Sequence, residues 1–557
     1  MEKPEDLQEL ELDVSGMTCD SCAVHVENAL RRVPGVRQAT VPGWKSGRAS
    51  VVAGGEIDPA ALRASMAEAG YTAAVRTARP ARGRQGKDNG GGGDFDLMVI
   101  GHGSAGFAAA IKAAELGRTV ALVGEGTVGG TCVNIGCVPS KTLIRSLEQH
   151  HLAGQNRFRG VHTSAGPIHW PQVLDHKDEL VNDMRRAKYL DVLDGYPQIT
   201  HIQGRALLTG GNRVEVNGVS FAPGEIVIAS GARPWAPPIP GLADTPHLDS
   251  TSALELRELP RSMIVLGGNA VGLELAQVYA RAGVYVTVLE LLPRIAPFED
   301  EDISAGLTGY LEDEGLRIVA GLQTDHVEWR GGRFTLTGTK NEAEVSFEAE
   351  QLLVATGRRP NTEGLGLEQA GVERGRRGEI IVDDQLRTSN PDIYAAGDVL
   401  GRDMFVYVAA YGGTLAAENA LAGVGRVYDA SYIPRITFTD PQIASAGLTE
   451  AQARQQGHEV KVSRLPMEVL PRALAARDTR GFIKLVVDVP SDRLLGAHIL
   501  APEAGEIIQT AVLAIRFGLT VSDLRGTMFP YLTNAEGLKL ALLALEKDVA
   551  MLSCCAG

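Results

Sequence analysis

Two stretches of this chain repeat one design, and that design leaves few folds open. A strand-like run, Phe95 to Ile100, meets Gly101-His102-Gly103-Ser104-Ala105-Gly106, followed by a helical pattern to Leu116, then Gly117, then a second strand, Val120 to Val123. The order returns: Met263 to Leu266, Gly267-Gly268-Asn269-Ala270-Val271-Gly272, a helical pattern to Arg281, Gly283, and a strand from Val284 to Leu289 that ends at Glu290. Glycines at these places permit the tight strand-to-helix turn and let backbone approach a pyrophosphate, which the free N–H groups of a helix N-terminus can hold. A glycine string alone is weak evidence, but strand, helix and second strand around it make two Rossmann-like dinucleotide sites the expectation. Gly101, Gly103 and Gly106 serve the first, Gly267 and Gly272 the second.

Laid over each other, the repeats differ in two places. The acid that would hold ribose hydroxyls is Glu290 in the second unit, but its equivalent in the first is Gly124, with Glu125 one residue later and Gly126 after it. Glu125 is taken as the first unit's ribose contact. In the second unit Asn269 stands where the middle glycine belongs, which predicts a less close approach to pyrophosphate or a different turn. Glu290 suits an unphosphorylated ribose, whereas Arg294 suits a 2′-phosphate, so the two nucleotides stay open at this point.

Just past the first unit lies Gly129-Gly130-Thr131-Cys132-Val133-Asn134-Ile135-Gly136-Cys137-Val138-Pro139-Ser140-Lys141. Thiolates attack disulfides and bind soft metals, and their pKa falls near a helix N-terminus or a cation. The glycine pair can turn into a helix opening near Cys132, and Lys141 can supply the charge. All six cysteines are paired closely in sequence: Cys19 with Cys22, Cys132 with Cys137, Cys554 with Cys555. Three dithiols suggest redox or metal work rather than structural bridges, which belong to small secreted chains. The acidic start, without a basic targeting segment or a membrane-length apolar run, predicts a cytoplasmic protein with no membrane partner. A net charge of −14 argues against nucleic acid.

Residues 9–77 read as a small βαββαβ, ferredoxin-like unit, with Gly16-Met17-Thr18-Cys19-Asp20-Ser21-Cys22 on the loop before its first helix. Two thiolates on a loop suit a soft, low-coordinate ion such as Cu(I) or Hg(II) better than zinc, whose structural sites use four ligands. The motif resembles the heavy-metal-associated domain of metal chaperones and transporters, which implies Cys19 and Cys22 as metal ligands. From Thr77 to Gly93 the chain is polar, glycine-rich and aperiodic, a tether reaching roughly 20 Å.

Leu352-Leu353-Val354-Ala355-Thr356-Gly357-Arg358-Arg359-Pro360-Asn361 and Tyr394-Ala395-Ala396-Gly397-Asp398 complete a set. With the dithiol stretch they resemble the pyridine nucleotide-disulfide oxidoreductases, from about residue 95 onward. That resemblance implies FAD in the first unit and NADPH, or NADH, in the second. It implies Asp398 on the FAD ribityl chain, with Gly126, Thr131 and Val406 among the flavin contacts. Cys137 becomes the thiolate against the flavin, Cys132 the interchange thiol, and Lys141 pairs with Glu274 near the ring. A homodimer with active sites shared between subunits follows from the same likeness.

Relatives that reduce disulfides carry a His-Glu dyad in a H-P-x-x-x-E pattern near the carboxyl end, to protonate the leaving thiolate. Here the corresponding stretch is Pro530-Tyr531-Leu532-Thr533-Asn534-Ala535-Glu536, so tyrosine replaces histidine. A phenol, with a pKa of roughly 10, shuttles protons poorly near neutrality. The tail then ends Cys554-Cys555-Ala556-Gly557, a poor staple because adjacent Cα atoms sit about 3.8 Å apart, but a good metal clip. This combination resembles the branch of the family that reduces mercuric ion. It implies Hg(II)-thiol complexes as substrate, handed from Cys19 and Cys22 to Cys554 and Cys555 of the partner subunit and then to Cys132 and Cys137, with Tyr189 and Tyr531 at the active site. Rival readings are a flavin-dependent disulfide reductase and a copper-trafficking protein. The expected organisation is a heavy-metal-associated domain at 1–78, a linker at 79–94, an FAD-binding domain at 95–240 and 366–430, an NAD(P)H-binding domain at 241–365, and an α+β dimerisation domain at 431–557.

Overall fold

The computed structural model describes residues 7–17, 20–41, 44, 47–54, 57–80 and 94–551. Cys19, Cys554 and Cys555 therefore lie outside the described residues, as does the tether between 81 and 93. Among the described residues no helix is long and apolar enough to cross a membrane.

The amino-terminal unit is a four-stranded antiparallel sheet with Leu7–Ser15 in its interior, between Arg48–Gly54 and Thr72–Pro80, and with Val36–Thr40 at one edge. Helices Asp20–Arg31 and Pro59–Glu68 cover one face, because the alternation that places Leu10, Leu12 and Val14 on that side buries all three. The last strand continues to Pro80 and pairs it with Gln8. This corrects the expectation that the tether begins at Thr77: four of its residues complete the sheet before the chain leaves it.

The first dinucleotide unit is a five-stranded parallel sheet in the order Ile393–Ala395, Glu225–Ile228, Leu97–Ile100, Val120–Gly124, Ile199–Gln203. Its central strands are apolar throughout and fully buried, sharing one core with helix residues such as Phe107 and Leu415 and with Leu208, Val214 and Val216 of a small antiparallel sheet, and each fully buried Val, Leu or Ile contributes about 1.5–3 kcal/mol. Helix Val406–Ala422 lies directly on helix Ser104–Glu115; a Cβ on Gly413 would come 2.0 Å from the Ala105 carbonyl oxygen. That close crossing brings the start of Val406–Ala422 beside Asp398. Val406, named among the flavin contacts, is the first residue of that helix.

The second unit is a four-stranded parallel sheet, Arg317–Ala320, Tyr285–Glu290, Ser262–Leu266, Gln351–Val354. Asn269 precedes helix Ala270–Arg281 with φ −113° and ψ −175°, close to the −87° and −168° of Gly103 before its own helix. The different turn expected from Asn269 does not occur, because this extended backbone is open to any residue. Beyond Tyr432 a five-stranded antiparallel sheet and helices Ala504–Phe517 and Glu536–Leu543 form a separate core.

Candidate active site

The dithiol stretch forms two helices rather than one. Gly129 (φ 97°) turns the chain into a short helix, Gly130–Ile135, which carries Cys132. Gly136 (φ −136°, ψ −111°) breaks it, and Cys137 opens a new helix of 19 residues, Cys137–Gln155. The helix anticipated at Cys132 is real but brief; it is Cys137 that sits at the head of the long one, where free N–H groups and the helix dipole favour a thiolate.

The electrostatics agree. The Cys137 thiol is lowered to about 7, chiefly by the Cys132 S–H that hydrogen-bonds to it and then by the Lys141 charge, against the opposing effect of burial. Cys132 is pushed well up, by the same shared hydrogen bond and by its own burial. One cysteine is therefore poised as thiolate near neutrality while the other keeps its proton. Lys141 Nζ meets Glu274 Oε2 at 2.6 Å and stacks 4.6 Å from the centre of the Phe438 ring. Glu274 is buried, and its other oxygen accepts the Phe438 N–H at 2.9 Å. Helix Ala270–Arg281 of the second unit thereby fixes a cation beside the dithiol of the first.

Tyr189 lies in a π-helical turn, Arg186–Leu190, and presents its ring to Phe107 edge-on at 4.7 Å. A Cβ on Gly129 would meet that ring at 3.3 Å, so the phenol stands over the glycine turn that leads to Cys132. Burial raises its pKa, and both cysteines contribute in the same direction. Arg185, one turn earlier, donates to Asn134 Oδ1 at 3.1 Å and ties this segment to the Cys132 helix. Tyr531 is 55% exposed, whereas Glu536 is buried and accepts the Leu532 N–H at 3.1 Å. Cys22, at the start of the first helix of the amino-terminal unit, is half-buried.

A cleft of about 600 Å³ runs along Gly101, Gly103, Gly124, Glu125, Gly126 and Thr131. Its walls fit a large dinucleotide on three counts. Gly130 packs on Gly103 so closely that a Cβ would come 2.6 Å from the Gly103 Cα, which keeps the floor thin. The Arg358 Nε is buried without a hydrogen-bond partner, although its Nη2 reaches the Ala232 carbonyl and lies 3.5 Å from Thr131 Oγ1. Asp398, its carboxylate 3.8 Å from Arg358, is held above the usual carboxylate range by burial. A buried acid and a buried guanidinium nitrogen without a hydrogen bond, next to the cleft residue Thr131, are what a polyhydroxylated, phosphate-bearing cofactor such as FAD would satisfy.

In the second unit Glu290 is fixed by backbone: Oε2 accepts the Gly268 N–H at 2.7 Å and Oε1 the Leu292 N–H at 2.8 Å. Arg294 is half-buried, its guanidinium 3.4 Å from the Ala296 carbonyl. Glu125 is exposed at the cleft edge. In the sequence Arg358 stands out only as part of a motif, and neither His102 nor its partner His201, 3.3 Å from His102 Nδ1, carries a local signal of a role. The repeats held the signal for His102, since His102 and Gly124 stand where the second unit has Gly268 and Glu290.

Two stacked dinucleotide units with a polarised dithiol between them define a nicotinamide- and flavin-dependent dithiol oxidoreductase. Residues 95–413 match the family model for pyridine nucleotide-disulphide oxidoreductases, 433–542 that family's dimerisation domain, and 11–72 the heavy-metal-associated domain. Among solved structures, the Cu(II) complex of the HOCl-induced flavoprotein disulfide reductase RclA from Escherichia coli superposes with a TM-score of 0.72 at 32% identity, covering 81% of this chain and 99% of that one. The mercuric reductase of Staphylococcus aureus is 43% identical over 546 residues, 98% of this chain and 99% of its own. That of Streptomyces lividans is 46% identical over 470 residues, 83% of this chain and 98% of its own. The chain belongs to the mercuric reductases, a family that uses FAD and NADPH.

Proposed function

We propose that this protein reduces Hg(II), received as a thiol complex, to volatile Hg(0) at the expense of NADPH. The observation that carries this reading is the unequal dithiol, with Cys137 lowered to about 7 at a helix head and Cys132 holding its proton. The ready thiolate of Cys137 displaces one small thiolate from the ion, the released thiolate takes the Cys132 proton, and Cys132 binds as the second sulfur while the other small thiolate leaves. A bound FAD would supply the two-electron chemistry that links NADPH to the dithiol, so that overall NADPH and Hg(II) give NADP⁺, a proton and Hg(0).

The chain's own residues do the rest. Lys141, oriented by Glu274, keeps positive charge beside the Cys137 thiolate. Asp398, Thr131 and Arg358 hold the flavin nucleotide, and the loops at Gly101 and Gly267 receive the two pyrophosphates. Arg294 is the residue that would prefer NADPH. Tyr189 and Tyr531 serve as weak oxygen ligands or as cover for the ion, a role that needs no proton transfer and so accommodates tyrosine where disulfide reductases use histidine.

Delivery runs from Cys19 and Cys22 to Cys554 and Cys555 of the partner subunit, and then inward. Thiolate exchange along successive dithiols moves a tightly held ion without freeing it. The dimer needed for that route is supported by the match to a dimerisation domain. The division into a metal-capturing unit ending at Pro80, a linker, and catalytic and dimerisation domains beyond residue 95 follows the same plan, and a reducing, cytoplasmic compartment suits three dithiols. The test is NADPH oxidation driven by Hg(II) in excess small thiol, with Hg(0) collected as vapour. Mercury-dependent turnover, lost in Cys137→Ala and impaired in Cys554→Ala/Cys555→Ala, is the expected result. Brisk oxidation with a disulfide and none with Hg(II) would instead place the protein with flavoprotein disulfide reductases.

A further inference from the structure

Gly124 occupies the position at which a dinucleotide unit normally offers an acid to the ribose hydroxyls. Its φ is not in the left-handed region, so its backbone would accept any residue. What excludes a side chain is His102: a Cβ on Gly124 would lie 2.3 Å from the His102 ring. The second unit has the mirror arrangement. There Glu290 fills the space, and a Cβ on Gly268, the counterpart of His102, would fall 3.1 Å from the Glu290 Cβ. The two positions face each other, and in each unit only one of them carries a side chain.

We propose that His102, backed by His201, replaces the missing acid and holds the adenosine ribose hydroxyls of FAD in the first unit. The inference rests on the flavoprotein reading above. His102 is 5% exposed and lines the cleft together with Gly124, so its ring sits where the carboxylate of a standard unit would be. His201, on the neighbouring strand Ile199–Gln203, engages Nδ1 at 3.3 Å, and the rings pack with centroids 5.6 Å apart. That contact engages Nδ1 and fixes the ring, and the Glu125 backbone is the ring's other polar neighbour. A hydroxyl both donates and accepts, so either tautomer of a neutral imidazole can pair with it. Burial and the facing His201 lower the His102 pKa and keep the ring neutral at physiological pH. The unit thereby gains a ribose anchor without a negative charge beside the pyrophosphate. Glu125, exposed at the rim, is not the anchor.

The experiment compares binding of FAD with binding of the analogue lacking the adenosine 2′-hydroxyl, each followed by flavin fluorescence as it enters the deflavinated protein. Wild type should prefer FAD by roughly tenfold, the worth of one good hydrogen bond. His102→Ala should bring that ratio near one, and Glu125→Gln should leave it unchanged. Gly124→Glu alone should lose FAD because the new side chain meets the His102 ring, and His102→Gly/Gly124→Glu should recover both binding and the preference. A ratio that survives in His102→Ala, or vanishes in Glu125→Gln, would overturn the assignment, as would full binding by Gly124→Glu alone. Each ratio is internal to one variant, so a general loss of stability does not imitate the result. A wild type that binds FAD without preference refutes only this inference, whereas one that binds no flavin refutes the flavoprotein reading.

Discussion

The two glycine turns share a backbone and differ in what lies on them. In both, the outer glycines are demanded by the turn itself: a Cβ would come 2.1 Å from the Ala229 oxygen at Gly101 and 2.4 Å from the Ala355 oxygen at Gly267, and 1.8 and 2.0 Å from the first glycine's oxygen at Gly106 and Gly272. The middle position is another matter. Asn269 occupies it in the second unit with almost the same φ and ψ as Gly103 in the first. At Gly103 an added Cβ would meet only the Gly130 Cα, at an ordinary 3.6 Å, so the backbone there does not itself demand glycine. Outer glycines thus report how strand and helix meet, while the middle one reports what the unit was built to carry.

The hardest blow to that contrast is Gly130→Ala. Its Cβ would stand 2.6 Å from the Gly103 Cα with backbone on both sides, at a φ of 65° that alanine adopts poorly. A loss of about 3 kcal/mol or more and a protein purified with little flavin are expected, read by denaturant unfolding and by the flavin-to-protein absorbance ratio. If Gly130→Ala keeps its flavin, the close fit of the dithiol helix against the Gly103 turn does not shape the flavin site. Next comes Lys141→Met, which strips the partner from a carboxylate only 6% exposed and tests whether the second unit supports the first. About 3 kcal/mol should be lost, less whatever the Phe438 N–H retains, and the Cys137 midpoint should rise.

Most of the fold was legible because periodicity and glycine placement are local signals. Both dinucleotide units and the amino-terminal βαββαβ unit lie within a few residues of their expected bounds. The helix break at Gly136 was not legible. Pro139 reads as a breaker but falls in the first turn of Cys137–Gln155, where a missing N–H costs nothing, so the long helix starts earlier than composition suggests. The His102–His201 contact spans 99 positions and the Lys141–Glu274 pair 133, distances over which no pattern runs. Lys141–Glu274 came from family resemblance, and His102 would have come from laying one repeat over the other.

The dithiol offers a subtler break. Because the depressed group is Cys137, its alkylation by iodoacetamide should be slow in acid, rise through a midpoint of about 7 and level off above it. The largest cause of the depression is the hydrogen bond from Cys132, so Cys132→Ala should move the midpoint upward toward the free-thiol value of about 8.5. The sign is definite: removing a donor to a thiolate disfavours the thiolate, and the rate at pH 7 must fall. An unchanged midpoint would assign the depression to the helix head and Lys141 alone.

The smallest effect belongs to Asn269→Gly. If the middle position answers only to what lies against it, Asn269, which is exposed, loses no packing and a glycine there gains nothing. Extra freedom in the unfolded chain should cost about 0.5–1 kcal/mol, and the affinity for NADPH, followed by nucleotide fluorescence, should stay within about twofold. A large gain in affinity would mean that the asparagine had been holding pyrophosphate at a distance after all. The middle glycine would then serve phosphate approach in both units, and the contact with the dithiol helix would be a second use of space already cleared.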